Sequence, residues 1–390
     1  MLSSFLNRVT TRIRSISPTS IPSKLTTHTP HNRLTKSEPL ERYCSGGYHA
    51  VKIGDVFNER FKVCGKLGWG RFSTVWEATD TRSNTDVALK ILTADCTAGP
   101  NALDELGTLK RVTSANPSHP GYPHFQHLLD DFTIEGPNGT HICLVLERYR
   151  NSLDTLWRDD DGVRHALPTD LVKIITRDVL LALTYLHEEC GLVHTDIKPD
   201  NILFSEPQTP DTDDKSKLWD PYLASFKLID LGHANLVDKP FATLIQPPAL
   251  RAPEVVLGRS WGTPADMWNL GCIIYELVVG QSLFAPLFKL PDVEVNPGTM
   301  HLAQIIAVCG QIPLKMRLEG EKVRRYFDEQ GRPLATVDFP PTIMQEMLIK
   351  VRVPEDEAKE IASFLMSMLC IDPEERVTAA QALKHPWVAR

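Results

Sequence analysis

The sequence reads Leu192-Val193-His194-Thr195-Asp196-Ile197-Lys198-Pro199-Asp200-Asn201-Ile202-Leu203 over residues 192–203, a polar cluster enclosed by two apolar runs. Enclosing polar groups between apolar segments costs free energy, so such a loop indicates that its polar groups have a function. The carboxylate of Asp196 is placed to accept the hydrogen bond of a substrate hydroxyl. Lys198 can neutralise a transferring phosphoryl group, and Asn201 can bind a Mg²⁺ ion. The stretch therefore predicts phosphoryl-transfer chemistry.

A second acidic group follows 29 residues after Asn201. Residues 226–232 read FKLIDLG, an apolar strand that ends on Asp230 and a flexible glycine. A carboxylate at the end of a strand suits a metal ligand that faces a nucleotide. Asp230 is therefore the predicted primary Mg²⁺ ligand.

Two glycines stand between two apolar runs in residues 67–75, LGWGRFSTV. Without a Cβ, the backbone at Gly68 and Gly70 can approach phosphate oxygens and offer N–H groups to them. A hairpin that needs glycines for its turn is the alternative, and Ser73 stands where the usual motif has a third glycine. The Gly-Lys-Ser/Thr ending of a P-loop is absent.

Lys90 closes the run VALK, residues 87–90, in an otherwise apolar strand. A buried lysine needs a partner of opposite charge, and Glu105 in the helix that follows is the natural one. Such a pair would hold the lysine against phosphates. In these segments the predicted nucleotide-binding residues are Leu67, Gly68, Gly70, Val75, Ala88 and Lys90. The predicted catalytic residues are Lys90, Glu105, Asp196 and Lys198, and the predicted metal ligands are Asn201 and Asp230.

The first half of the chain is predicted to form a small β-rich lobe. Runs of β-branched and aromatic residues between turns predict an antiparallel meander over 61–92. A helix is expected from Ala102 to Val112. Two further strands, 127–134 and 140–147, flank a turn that reads Glu-Gly-Pro-Asn-Gly.

The second half is predicted to be mainly helical. Apolar residues recur at helix spacing behind a cap at Thr169, and again near Pro264–Val279 and Glu357–Leu369. The fold class is therefore α+β in two lobes. The boundaries we expect are 61–148 for the small lobe, with one main helix, and 149–388 for the larger one.

Composition is that of an ordinary globular protein, with 42% hydrophobic and 23% charged residues. No stretch approaches the roughly 18 apolar residues of a membrane helix. The eight cysteines show no CxxC pair, which predicts free thiols. Residues 1–37 hold six Lys/Arg and no acid, so subtracting that +6 from the net −7 leaves −13 on the rest. An acidic body disfavours nucleic acid and suits a basic peptide.

The first 47 residues are rich in Ser, Thr, Pro and Arg and carry too little apolar content for a core. They are predicted to be a disordered basic tail ahead of a domain at 48–390. The opening MLSSFLNRVTTRIRS is also typical of a mitochondrial transit peptide. The sequence does not choose between an import signal and a plain basic arm.

Six short motifs follow one another in a fixed order: the glycine loop, Lys90, Glu105, residues 194–201 (HTDIKPDN), residues 230–232 (DLG) and residues 252–254 (APE). On these motifs the chain resembles the eukaryotic protein kinases from about residue 55 to residue 388. The resemblance implies a Ser/Thr kinase that uses ATP and Mg²⁺, with ATP in the cleft between the lobes.

Further roles are implied by the same resemblance. Glu147 and Tyr149 would offer hinge backbone groups to adenine, with Leu146 as gatekeeper. Asp266 would hold the catalytic loop by its backbone amides, although a simple helix cap is the alternative for this residue. Arg376 would pair with Glu254.

Within the kinases, residues 47–55, 67–76, 102–105 and 194–196 are similar to the SR-protein kinase family, of fungal type. This implies protein substrates with basic or Arg/Ser-rich segments, in particular mRNA-splicing factors. We expect a monomer in the cytoplasm and nucleus, or in mitochondria if the tail is a transit peptide. No direct contact with nucleic acid or membrane is expected.

Thr195 stands where most kinases have an arginine that grips a phosphorylated loop. A threonine cannot make that charge-assisted contact. The sequence therefore predicts a constitutively active enzyme.

The chain departs from the family in regions that concern substrates. Just before the APE motif, residues 246–251 match the family only at the first and last positions, Gln246 and Arg251. The acidic groove near the helix at 301–309 is thinned, with Ala307 at an acidic position, and the family's long spacer shrinks to about 205–224. The resemblance thus gives no expectation of processive phosphorylation.

Two other functions remain as alternatives, a kinase of a neighbouring subgroup with other substrates and a pseudokinase scaffold. A scaffold normally lacks one of the groups represented here by Lys90, Asp196, Asn201 and Asp230. A nucleic-acid-binding role for the basic tail is weaker still, because the positive charge is confined to 37 residues.

Overall fold

The computed structural model describes residues 38–98, 104–149, 151–159, 161–205, 221–238, 242, 244–288, 295–335, 337 and 339–389. A sheet-rich lobe comes first along the chain and a mainly helical lobe second, so the predicted two-lobed α+β architecture is confirmed.

The small lobe is built on a six-stranded antiparallel sheet. Its strands are β1 (Val56–Phe57), β2 (Phe61–Gly70), β3 (Ser73–Asp80), β4 (Thr85–Leu92), β5 (Leu128–Gly136) and β6 (Gly139–Glu147). They lie in the order β1-β2-β3-β4-β6-β5. The predicted meander and the predicted hairpin are both confirmed, with strand ends shifted by up to three residues.

Two helices complete the small lobe, α1 (Ala94–Ala98) and α2 (Glu105–Ser114). The side chain of Asp104 caps α2 by accepting a 2.9 Å hydrogen bond from the Gly107 amide. The predicted start at Ala102 lies outside the described residues. The end of this helix falls two residues beyond the predicted Val112.

The two faces of the sheet bury different side chains, because side chains alternate along a strand. On β4, Leu89 and Ile91 join a core confined to the small lobe. Ala88 and Leu92, which point the other way, pack into the large core shared with the helical lobe. Lys90 lies between these two on the same face, so the sheet aims it at the boundary between the lobes.

The large lobe contains short strands and ten α-helices among the described residues. In chain order the elements are β7 (Asn151–Ser152), α3 (Leu153–Trp157), α4 (Thr169–Thr184), β8 (Leu192–Val193), β9 (Ile202–Ser205), β10 (Ser225–Leu228), β11 (Asn235–Leu236), α5 (Pro253–Leu257), α6 (Thr263–Val279), α7 (Pro297–Cys309), α8 (Leu314–Leu318), α9 (Met344–Lys350), α10 (Glu355–Met368), α11 (Ala379–Ala382) and α12 (Pro386–Ala389). The strands pair as β10-β9-β7 and β11-β8.

The start of α4 corrects one prediction. Thr169 is the first helical residue and does not cap the helix; the cap position is Pro168, which has no side chain to bond a backbone amide. The fixed backbone angle of proline sets the entry into the helix here. The centre of the lobe is α6, which is buried along nearly its whole length.

The folded part of the chain begins earlier than predicted. Residues 38–47, assigned to the tail, pack on the small lobe: Glu38 is buried beside Lys66 and Tyr43, and the Gly46 amide donates to the Asn138 carbonyl at 2.9 Å. Polar contacts hold this segment, which is why its low apolar content misled the prediction. The predictions made for residues 1–37 lie outside the described residues.

All eight cysteines are free thiols, as predicted. No helix in the described part of the chain combines the length and the apolar character needed to cross a membrane.

Candidate active site

Lys90, Glu105 and Asp230 form one buried charge cluster where the two lobes meet. The Lys90 ammonium lies 2.5 Å from Glu105 Oε1 and 2.8 Å from Asp230 Oδ1. Burial alone would lower the pKa of Lys90, but the two carboxylates outweigh it and raise that pKa well above its usual range. The lysine is therefore charged at every physiological pH, and the predicted pair with Glu105 is formed.

Asp230 is held in an unusual backbone conformation. Its φ is +66°, in the left-handed region that residues other than glycine rarely adopt. The Lys90 ammonium keeps the pKa of Asp230 well below its usual range, against the effect of burial. The turn that follows lies against α2, since a Cβ on Gly232 would stand 3.1 Å from Glu105 Oε2.

Strand register brings several predicted nucleotide-binding residues into one row. Gly68 on β2 pairs with Val75 on β3, and Val75 pairs with Lys90 on β4. Directly opposed residues share a face of a sheet, and Ala88, two residues before Lys90, shares it too. Leu67 lies in the register shift just before Gly68. The row faces the boundary between the lobes.

Residues 192–203, the predicted catalytic loop, bring their polar groups together around Asp196. Lys198 Nζ lies 2.6 Å from Asp196 Oδ2, and Asn201 Nδ2 donates to the Asp196 carbonyl at 2.9 Å and to its Oδ2 at 3.2 Å. The side chain of Asp196 remains partly open to solvent, at 17% exposure. Three of the predicted residues therefore form one hydrogen-bonded group, and its carboxylate is accessible to solvent.

Asp266 fixes the backbone of this loop from below. Its carboxylate accepts hydrogen bonds from the His194 and Thr195 amides at 2.7 and 2.9 Å, and His187 Nε2 lies 2.9 Å away. The cap of α6 is Gly262, so the alternative role of Asp266 as a helix cap is wrong. The role implied by the resemblance is confirmed.

The catalytic loop is also hydrogen-bonded to the segment between β10 and Asp230. The Ile229 amide donates to the Asn201 carbonyl at 2.9 Å, and His194 Nε2 lies 3.0 Å from the Ile229 carbonyl. Because β9 and β10 are antiparallel with Ile202 opposite Leu228, Asn201 and Asp230 emerge at the same end of this pair. The two predicted metal ligands are thus neighbours.

Thr195 has a structural role that the sequence did not reveal. Its φ is +70°, and its hydroxyl donates to the His233 carbonyl at 2.8 Å. The residue therefore links the catalytic loop to the segment that follows DLG without any phosphate group.

The predicted hinge residues lie at the end of β6 and just after it. Leu146 pairs with Ala88 across the sheet, and Glu147 ends the strand. The Tyr149 hydroxyl donates to the Glu147 carboxylate at 2.9 Å, and Gln126 Nε2 donates to the Glu147 carbonyl at 2.6 Å. Sequence analysis missed Gln126, and no local motif marks it.

Two buried networks support the segment before and at the APE motif. Arg376 makes a two-pronged ion pair with Glu254, at 2.7 and 3.0 Å, with neither side chain exposed. Gln246, whose φ is +68°, donates to the Ala265 carbonyl and accepts from the Ala252 amide. The predicted pair of Arg376 with Glu254 is confirmed.

Comparison with known proteins agrees with this geometry. The protein kinase domain family matches residues 61–388. The chain is 34% identical to the serine/threonine-protein kinase SRPK of Physarum polycephalum, over 91% of this chain and 92% of that protein. It is 29% identical to protein kinase dsk1 of Schizosaccharomyces pombe, over 91% and 85% of the two chains. It is 27% identical to SRSF protein kinase 3 of Mus musculus, over 96% of each.

A complete set of kinase motifs, a site in which they meet, and relatives aligned over nine-tenths of the chain all agree. This chain belongs to the eukaryotic protein kinases, in the SR-protein kinase family, and is a serine/threonine protein kinase.

Proposed function

We propose that this kinase transfers the γ-phosphate of ATP to serine or threonine in Arg/Ser-rich proteins, and that it does so without prior activation. The observation that carries the proposal is the assembled site: Lys90 lies between Glu105 and Asp230, and Asp196 lies against Lys198 and Asn201. Such a site works by positioning and electrostatics more than by covalent catalysis.

The fit of ATP is supported by space and charge on the same face of the sheet. A Cβ added to Gly68 or Gly70 would meet no atom within 4 Å, so there is free space beside the loop backbone into which phosphates could come close. Lys90 supplies a fixed positive charge in the same row. Leu67, Val75 and Ala88 would enclose the adenine ring, and Glu147 and Tyr149 would offer it backbone groups.

The fit of Mg²⁺ is supported by the ligand chemistry of Asn201 and Asp230. Asn201 uses its amide nitrogen for Asp196, which leaves its oxygen for a cation, and Asp230 is a carboxylate kept ionised by Lys90. One carboxylate and one amide form a sparse set, of the kind Mg²⁺ takes when phosphates and waters complete its shell. Bound there, Mg²⁺ would neutralise phosphate charge.

Asp196 is the group we assign to the substrate hydroxyl. Its partly exposed carboxylate can accept the hydroxyl hydrogen bond and orient the oxygen for attack. Lys198, 2.6 Å away, can move onto the phosphoryl oxygens as charge develops. Asp266 keeps both residues in place through the loop amides.

The substrate class is supported by charge and by the relatives. The chain beyond residue 37 carries −13, so a basic segment would be attracted to it. The mouse relative is named as an SRSF protein kinase and the Physarum relative as SRPK. A basic Arg/Ser-rich protein is the substrate class that fits both facts.

The test compares an Arg-Ser repeat peptide with a matched peptide in which each arginine is replaced by glutamine. We expect kcat/KM, from radiolabelled phosphate transfer, to be higher for the repeat by about tenfold, the effect of two or three exposed ion pairs. Equal rates on both peptides would favour a neighbouring subgroup with other substrates. Transfer to neither would favour the scaffold alternative.

Constitutive activity gives a second prediction. The Thr195 bond to His233 and the Lys90–Glu105 pair form in the unmodified chain. We therefore expect kcat of enzyme made in bacteria to be unchanged after phosphatase treatment and after incubation with upstream kinases. A large rise in kcat on phosphorylation would contradict this.

The proposal includes a monomer that works in the cytoplasm and nucleus, where a splicing-factor kinase meets its substrates. The mitochondrial alternative rests only on residues 1–37 and would require import of a fusion that carries them. The net charge of −13 on residues 38–390 argues against direct nucleic-acid binding.

A further inference from the structure

The tip of the glycine loop is held from outside by hydrogen bonds to three consecutive carbonyl groups. Tyr48 Oη donates to the Gly70 carbonyl at 2.7 Å, and Arg42 Nη2 donates to the Arg71 carbonyl at 2.8 Å. The Thr93 amide donates to the Phe72 carbonyl at 2.9 Å. Carbonyls at a hairpin tip ordinarily face water. The three hydrogen bonds therefore restrict the backbone motion that the two glycines would otherwise allow this loop.

Two of the three donors belong to residues 38–48, which we name the N-terminal brace. Tyr48 is only 2% exposed, with the Arg42 guanidinium 5.2 Å from its ring centroid and the Tyr43 ring in edge contact at 5.6 Å. Burial raises the pKa of Tyr48, so its hydroxyl keeps its proton and remains a donor. The Tyr48 hydroxyl is thus a protonated donor held in a fixed position.

The brace is anchored on parts of the small lobe that do not belong to the loop. The Ala94 amide donates to the Gly47 carbonyl at 3.1 Å, and Asn138 Nδ2 donates to the Tyr48 carbonyl at 2.7 Å. The turn inside it admits no side chain at Gly47, where a Cβ would stand 1.9 Å from the Arg42 carbonyl. The brace is therefore a rigid support between the β5–β6 turn and the loop tip.

The tip of the glycine loop also contacts the segment next to the predicted active site. The ring of Phe72 packs against the core shared by the lobes and lies 5.9 Å, centroid to centroid, from the ring of His233. The His233 carbonyl also accepts a hydrogen bond from the Thr195 hydroxyl. The tip, the segment after DLG and the catalytic loop are thus in one chain of contacts.

We propose that the N-terminal brace holds the glycine loop closed over the nucleotide and so slows nucleotide release, with Tyr48 and Arg42 as positioning residues. This inference rests on the proposed binding of ATP beneath the loop. A lid over a nucleotide must lift for ADP to leave, and each hydrogen bond at its tip has to break when it does. Loss of one such bond would speed release by about threefold to tenfold.

The test uses Tyr48→Phe in the full chain, with Tyr43→Phe as the matched control. Both variants remove one phenol hydroxyl from the brace, but the Tyr43 hydroxyl contacts Glu38 and not the loop. The measured quantities are the dissociation rate of fluorescent ADP, hydrogen exchange of the Gly68–Phe72 amides, KM for peptide, and Tm. Arg42→Met, which removes the bond to Arg71, serves as a second variant.

We expect Tyr48→Phe and Arg42→Met to speed ADP release and amide exchange in the loop, while KM for peptide and Tm match those of Tyr43→Phe. Release rates equal to wild type would overturn the proposal, as would an equal effect of Tyr43→Phe. If Tyr48→Phe releases ADP faster but the enzyme does not phosphorylate Arg-Ser peptides, only the proposed substrate class is refuted.

Discussion

Replacing Asp196 with asparagine is expected to lower kcat by about 10²–10⁴-fold while ADP binding stays close to that of wild type. Asparagine has nearly the same shape and can still accept from Lys198, which lies 2.6 Å from the carboxylate. It cannot take up the hydroxyl hydrogen bond as a charged acceptor. The loop geometry should survive, because Asp266 holds it through the backbone amides of residues 194 and 195.

Single-turnover phosphate transfer to the Arg-Ser peptide measures this effect, and fluorescent ADP binding checks the nucleotide site. The matched control is Asp356→Asn, the same chemical change at an exposed position in the first turn of α10. The control should keep wild-type kcat. Unchanged turnover in Asp196→Asn would mean that another group handles the hydroxyl and that our assignment of Asp196 is wrong.

The sequence predicted those parts of the site whose chemistry is local. The residues HTDIKPDN and DLG each carry their polar groups within one loop, and the lysine in VALK needs a partner that the next helix supplies. Their spacing fixes the order of the parts, and the alternation of side chains in β3 and β4 places Val75, Ala88 and Lys90 on one face. Strand and helix positions followed from the same periodicities.

What the sequence did not predict depends on contacts between distant segments. Tyr48 and Gly70 are 22 residues apart, and Gln126 and Glu147 are 21 apart. Each bond exists only because folding brings a side chain to a distant backbone carbonyl. Composition likewise hid the packing of residues 38–47, since polar contacts hold that segment. The two explanations offered for Asp266 differed only in where its carboxylate points, which local sequence does not specify.

The role of Thr195 illustrates the same limit from the other side. The missing arginine is visible in the sequence and predicted that loop phosphorylation would not be needed. The sequence did not reveal what replaces the charge contact. The structure places a hydroxyl bond to the His233 carbonyl there, and a backbone carbonyl has no sequence signature.

Replacing Arg376 with methionine is expected to reduce the free energy of unfolding by about 3–5 kcal/mol, because Glu254 would be left as an uncompensated buried charge. Neither side chain is exposed, and the arginine also donates to the carbonyls of Pro264 and Cys370 at 2.7 and 2.8 Å. These acceptors would lose their donor as well. Guanidinium titration measures the change as a lower midpoint at unchanged slope.

The matched control is Arg332→Met, which removes an arginine that is 73% exposed from its ion pair with Asp328. That variant should unfold at the wild-type midpoint, since water already screens the pair. The double variant Arg376→Met/Glu254→Leu separates the two possible causes of the loss. Recovery of stability in the double variant would identify the unpaired Glu254 carboxylate as the cause, whereas an equal or greater loss would locate it in the carbonyls of Pro264 and Cys370. A single variant Arg376→Met as stable as wild type would contradict the buried ion pair itself, and with it the support that this pair gives to the APE segment.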